Sequence, residues 1–255
     1  MKKQCLLLIC AISFAFLGNS QDLTSKKGES MLPEAGDYAL GFDAAPFLNY
    51  VGNLMNSGAN TSPTADFMSG YDASITGKYF KDAQNAYRGS VRIGLGSTTE
   101  TDAAGNEMKA SYNAVSLGAG IEKRRGTTRV QGFYGAQAGV SLGGSSMSND
   151  YDEALSATNP GDPMMPRVTE VDGGSSFGIG LGAFAGVELF IFPKTSIGFE
   201  YGWGLGFNST GAGEATTEIW DGNEAISTTI ETGSSSSFGI DTNNGGGALN
   251  VIFHF

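Results

Sequence analysis

The chain has 255 residues, a net charge of −11, 39 glycines and one histidine. The acidic balance excludes nucleic acid as a partner, because phosphate binding needs a basic surface. A hydrophobic share of 40% excludes wholesale disorder, and the glycines lack the three-residue period of collagen.

The amino terminus comes first in chain order. Lys2 and Lys3 precede an apolar run over 5–17, and Gly18, Asn19 and Ser20 end it. This is the layout of a secretory signal peptide over 1–20, with cleavage expected after Ser20. The run is too short to span a bilayer as a helix. Cys10 follows Ile9 in mid-run, which argues against a lipoprotein. Both cysteines, Cys5 and Cys10, fall inside the signal, so the mature chain holds no disulfide and no thiolate metal site. Residues 21–36 are polar, contain Pro33 and read as a periplasmic lead-in.

From there to the end, over 37–255, the pattern is period two. Leu40 and Phe42 open it. Tyr71, Ala73, Ile75 and Tyr79 form the second apolar row, and Tyr87, Val91, Ile93 and Leu95 the third. Val115, Leu117, Ala119 and Ile121 form the fourth, then Val130, Tyr134, Ala136, Ala138, Val140 and Leu142 the fifth. The sixth runs from Phe177 to Ile191, the seventh from Ile197 to Phe207, and Leu249, Val251, Phe253 and Phe255 close the series. The intervening positions are mostly Gly and Ser with a few charges. A soluble sandwich is bulky inside and polar outside. Here the bulky face belongs outside, because eight strands enclose room only for modest side chains. An apolar exterior requires lipid around it. The expected fold is all-β: an eight-stranded antiparallel transmembrane barrel.

The connections alternate in length. Those at 81–85, 123–127 and 193–194 are short, whereas 51–69, 98–110, 143–174 and 209–240 are long. Short periplasmic turns and long extracellular loops have this rhythm. The four long stretches hold fifteen acidic residues and two basic ones, Lys109 and Arg167. The short turns are mostly basic, with Lys81, Lys123, Arg124, Arg125 and Lys194 against Asp82.

The chain resembles the small outer-membrane β-barrel (porin-like) proteins of Gram-negative bacteria. The last strand, Ala248-Leu249-Asn250-Val251-Ile252-Phe253-His254-Phe255, carries the most specific likeness, through its alternation and terminal aromatic. Gly77-Lys78-Tyr79-Phe80, with Asp82, Asn85, Ala86 and Arg88, resembles a recurring second hairpin of these proteins. The likeness implies location in the outer membrane, contact with its lipid and lipopolysaccharide, and reading of the last strand by the barrel assembly machinery. It leaves activity open, since such barrels include porins, adhesins and enzymes.

Parity places Asp43, Asp72, Glu122, Glu188, Glu200, Lys78, Arg88, Arg92 and Arg129 in the lumen. Near-balanced charges in a narrow interior point to an ion-pair network that plugs it; a narrow gated ion path is the competing reading. No catalytic or cofactor-binding residue is assigned. His254 points inward at the periplasmic end, whereas barrel enzymes that trim membrane lipids place a histidine, a serine and an acid near the outer leaflet. Gly178-x-Gly180-x-Gly182 and Gly202-x-Gly204-x-Gly206 are period-two glycines within strands and not nucleotide loops. No metal site is assigned either. The densest acidic clusters, Asp150, Asp152 and Glu153, then Asp221 and Glu224, lack the twelve-residue calcium loop, and loosely held divalent ions are the most they could take. Two roles follow: a structural or surface-interaction barrel meeting an extracellular partner through its loops, or a narrow channel for ions or small solutes.

Overall fold

The computed structural model describes residues 23–43, 75–162, 165–241 and 248–255. The signal segment, the 51–69 connection, Tyr71, Asp72 and Ala73 lie outside the described residues. The strands are β1 Tyr38–Asp43, β2 Ile75–Asp82, β3 Asn85–Thr101, β4 Glu107–Arg125, β5 Val130–Asp150 and β6 Arg167–Phe192. They continue as β7 Thr195–Thr210, β8 Glu214–Trp220, β9 Ala225–Glu231, β10 Ser235–Asp241 and β11 Ala248–His254. All pairings are antiparallel. β1 to β7 pair in chain order, β7 pairs with β11, and β11 returns to β1 from Ala39↔His254 to Asp43↔Asn250. The ring closes on eight members, as the period-two rows require.

β10 shares the eighth position with β11. It lies along the far half of β7, with Asp241 opposite Gly204, while Ala248 of β11 is opposite Glu200. Residues 201–203 of β7 lie between the two pairings.

The ring has a turn end and a loop end. At the turn end, Lys194 sits in the left-handed region (φ 54°) of the β6–β7 connection, and Gly126 has φ 123° after β4. At the loop end, β4, β5 and β6 run to 19, 21 and 26 residues. About 9–11 residues suffice to cross a bilayer. The strands thus continue through much of what the sequence reads as the loops 98–110 and 143–174. The 209–240 stretch likewise carries β8, β9 and β10. β8 pairs with the outer end of β6 from Arg167↔Glu218 to Asp172↔Glu214, and β9 pairs with β8. β6 changes partner from β7 to β8 at Gly174, whose φ is 73° and whose missing Cβ would lie 2.4 Å from Gly211 O. Only glycine fits there.

Facing outward in mid-barrel, Ile93, Leu95, Leu117, Leu142 and Leu181 are 69%, 67%, 53%, 59% and 55% exposed. A continuous apolar band of this kind is foreign to soluble monomers and suits a lipid surround. Below it an aromatic row runs around the turn end. Ring centroids are 6.4 Å apart for Phe255 and Tyr38, 5.1 Å for Tyr38 and Tyr79, and 6.5 Å for Tyr79 and Tyr87.

Residues 23–36 fold back beside the turn end. Thr24 bridges Ser30, Met31 N–H donates to Leu23 O, and Lys194 N–H donates to Met31 O. Met31 is buried. Asp37 forms an ion pair with Lys194. Partial burial pushes the Asp37 carboxyl up, but the Lys194 ammonium and the Glu34 N–H outweigh it and hold the carboxyl below its usual range.

Candidate functional site in the barrel lumen

Inward positions of β2, β4, β5, β6, β7 and β11 converge near the turn end. Lys78, Glu122, Arg124, Gln131, Glu188, Ser196 and His254 are all buried there. Lys78 Nζ lies 3.0 Å from Glu122 Oε2 and 3.5 Å from Glu188 Oε2. Arg124 Nη1 donates to Glu122 Oε1 at 2.8 Å and to Glu188 Oε2 at 2.9 Å, and its Nε donates to Gln131 Oε1 at 3.0 Å. One layer above, Arg88 grips Glu200 with both terminal nitrogens, at 2.7 and 3.3 Å. Three cations, Lys78, Arg88 and Arg124, face three carboxylates, Glu122, Glu188 and Glu200. The charges cancel with His254 neutral. Pairs this dry are tolerated because each carboxylate accepts at least two N–H groups, although Glu122 Oε2 and Arg124 Nη2 make no hydrogen bond.

Aromatic rings fill the space between the pairs. Phe80, Phe133, Phe184 and Phe190 all point inward and are buried. The Arg88 guanidinium lies 4.1 Å from the Phe184 ring centre, and Lys78 Nζ lies 4.9 Å from that of Phe133. Arg124 sits 5.4 Å from Phe80 and 5.8 Å from Phe190. Each such contact adds about 0.5–2 kcal/mol, the more when desolvated. The cavity lined by Lys78, Arg88, Phe133 and Glu200 holds about 10 Å³, room for one water at most. The lumen is closed here.

Toward the loop end the same strands bear glycine inward. A cavity of about 390 Å³ opens beside Gly178, Gly180, Gly182, Gly204 and Gly206, with Ser90, Ser116, Gln137, Ser141 and Asn208 at its walls. A second, of about 460 Å³, shares Ser116 and Ser141 with it and includes Arg92. Arg92 is half-buried and has no ion-pair or hydrogen-bond partner among the described residues.

The lumen residues expected from parity thus divide. Lys78, Glu122, Glu188, Arg88 and Glu200 assemble into the plug, and Arg92 stands apart above it. Arg129 lies in the turn before β5, where its carbonyl accepts from Phe190 N–H at 2.8 Å. Asp43 is placed on β1 by its backbone, and Asp72 is outside the described residues. Arg124, read from the sequence as a turn residue, is 2% exposed at the centre of the network, because β4 continues to Arg125. Gln131 and Ser196 also escaped the sequence reading. Their inward parity was the available signal.

His254 is inward and near the turn end, beside a serine and an acid. Its Nε2 lies 2.9 Å from Glu188 Oε1 and 3.2 Å from Ser196 Oγ, and Ser196 Oγ itself donates to Glu188 Oε1. A hydrolytic relay needs the acid on one ring nitrogen and the nucleophile on the other. Here both partners share Nε2, and Nδ1 has no hydrogen-bond partner. The trio serves as a structural knot.

The loop carboxylates are used in turns. Asp102 accepts from Ala104 N–H at 2.8 Å and from the Asn106 side chain at 2.8 Å, beside Gly105 at φ 92°. Asp221 accepts from Asn223 and Glu224 N–H groups at 2.7 and 2.8 Å. The Asn106 amide above all lowers the Asp102 carboxyl, and the Glu224 N–H above all lowers that of Asp221. Asp152 N–H donates to Asn106 Oδ1 at 3.2 Å, and Glu153 O accepts from Arg167 Nη1 at 2.9 Å. Among the described residues no three acids or histidines are grouped to hold a metal ion.

No protein-family model matches the chain, and no curated protein sequence does. A crystal structure of the outer membrane protein OprG from Pseudomonas aeruginosa matches over 88% of this chain and 98% of that one. The identity is 9% and the TM-score 0.34. So loose a likeness adds nothing to the strand pairing, on which the fold argument stands.

Proposed function

We propose that this chain is an integral barrel of a Gram-negative outer membrane, exported by its signal peptide, with a structural or surface-interaction role and no catalytic one. The apolar band and the aromatic row support a lipid surround. The overlong β3 to β6 and the β8–β9 hairpin support a sheet raised above the membrane, where acidic turns would meet lipopolysaccharide and an extracellular partner. Phe255, at the end of the seam strand, resembles the residue read by the barrel assembly machinery.

The observation that carries the non-conducting reading is the plug. An ion entering from the loop end would meet the Arg88–Glu200 layer and then Lys78, Arg124 and four phenyl rings. The narrow-channel alternative draws on the roomy loop-end half, but it requires the plug to move. Planar-bilayer recording with purified, refolded protein separates the two. A silent membrane is expected, and discrete unitary openings would overturn the proposal in favour of the channel.

A further inference from the structure

The two loop-end cavities have a chemistry that a mere filler region would not need. Their walls carry hydroxyls from Ser90, Ser116 and Ser141 and carboxamides from Gln137 and Asn208. None of these five side chains has a hydrogen-bond partner among the described residues. Among the described residues, Arg92 is the one charged residue on either wall, and no carboxylate lines either cavity. Unlike Arg88 and Arg124, Arg92 has no ion-pair partner among the described residues. At about 390 and 460 Å³ the cavities fall within the roughly 300–1,000 Å³ typical of small-molecule sites. They are closed below by the plug, so any solute that enters leaves by the way it came.

From this we infer that the loop-end half of the lumen is a blind binding pocket for a small, hydroxyl-rich monoanion of the sugar-acid class. The solute's carboxylate pairs with Arg92, and its hydroxyls exchange hydrogen bonds with the serines and carboxamides. The described wall residues offer no counter-charge for a cation, and an apolar solute would leave the wall's hydroxyls and carboxamides unpaired. Glycine at the inward positions of β6 and β7 creates the space. A Cβ at Gly180 would meet nothing nearer than Leu205 O at 3.6 Å, so the position accepts a side chain that the fold does not require.

The test is calorimetric titration of gluconate, with glucose and glucosamine as comparators, into full-length refolded protein. Saturable gluconate binding is expected, at least tenfold tighter than glucose, with no saturable glucosamine binding. Arg92→Gln should weaken gluconate at least tenfold and bring it level with glucose. Gly180→Val, which projects into the cavity, should abolish both; Gly206→Val serves in its place if that variant does not refold. No saturable gluconate binding, equal affinity for glucose, or indifference to Arg92→Gln would each overturn the inference, as would indifference to both cavity-filling variants. The pocket rests on the reading of a closed lumen but fails separately from it. Unitary conductance with gluconate binding retained removes the plug and leaves the site.

Discussion

The two halves of the lumen are built on the same strands with the same alternation, yet one is solid and the other hollow. On β6 the inward positions near the turn end are Phe184, Gly186, Glu188 and Phe190, and those toward the loop end are Gly178, Gly180 and Gly182. The glycines differ too. A Cβ at Gly186 would lie 2.3 Å from Phe199 O and 2.4 Å from Phe133 Cζ, but one at Gly206 would find nothing nearer than Ile179 O at 3.8 Å. In the solid half, glycine makes room for a neighbour's phenyl ring. In the hollow half, Gly180 and Gly206 leave space unfilled. The same residue on the same inward face therefore serves opposite ends, and only the neighbouring strands reveal which.

The sharpest break of this contrast is Arg124→Met. Similar bulk remains, but Glu122 and Glu188 lose their shared guanidinium. A loss of about 3–5 kcal/mol is expected in denaturant unfolding from lipid vesicles; an unchanged midpoint would mean that the pairs are wet. Next comes Leu181→Arg, on the outer face opposite the cavity, which should lose roughly 2–4 kcal/mol if that face meets the bilayer core. Unaltered stability there would contradict the exterior as described. A paired comparison of glycines follows. Gly186→Ala should lose about 1–3 kcal/mol through overpacking, while Gly206→Ala should be neutral or stabilising by up to about 1 kcal/mol. Equal effects would erase the distinction between the halves.

The smallest effect concerns the segment beside the solid end. Because the Asp37 carboxyl is held below its ordinary value of 3.8, its stabilisation is fully present above that pH and fades as the pH falls below it. At neutral pH, Asp37→Asn should raise trypsin cleavage at the exposed Lys26 and Lys27 modestly, in keeping with a partly exposed pair. Cleavage identical to wild type would show that the backbone bonds alone hold the segment.

How much of this was legible beforehand depended on lipid. Where strands face a bilayer, apolar residues must recur every second position, and the rows from Leu40 to Phe255 gave the eight-membered ring. Beyond the apolar band that pressure ends. β9, Ala-Ile-Ser-Thr-Thr-Ile-Glu, and β10, with its serine start, are held largely by backbone hydrogen bonds, and their sequences read as loop. The plug was half legible. Lys78, Glu122 and Glu188 stood out as charges on the small face, but Arg124 was hidden among the basic residues of a turn that proved shorter. The hollow half was not legible at all, because volume arises from what several glycines jointly leave out.

The seam between β1 and β11 bears on the order of folding. Its register, Ala39↔His254 to Asp43↔Asn250, joins segments from opposite ends of the chain, whereas β3 and β4 pair from Asn85↔Lys123 to Thr101↔Glu107 around a local turn. Loop-closure entropy makes distant pairings form late. The hairpins of β2 through β7 can zip locally while the two seam strands still present unpaired edges. Until His254 N–H reaches the Lys194 carbonyl and Phe255 exchanges bonds with Tyr38, the sheet is an open ribbon with two adhesive borders. The last hydrogen bonds to form would then be those that end the risk of joining another copy, so the rate of closing this seam would set how long the nascent barrel is prone to aggregate.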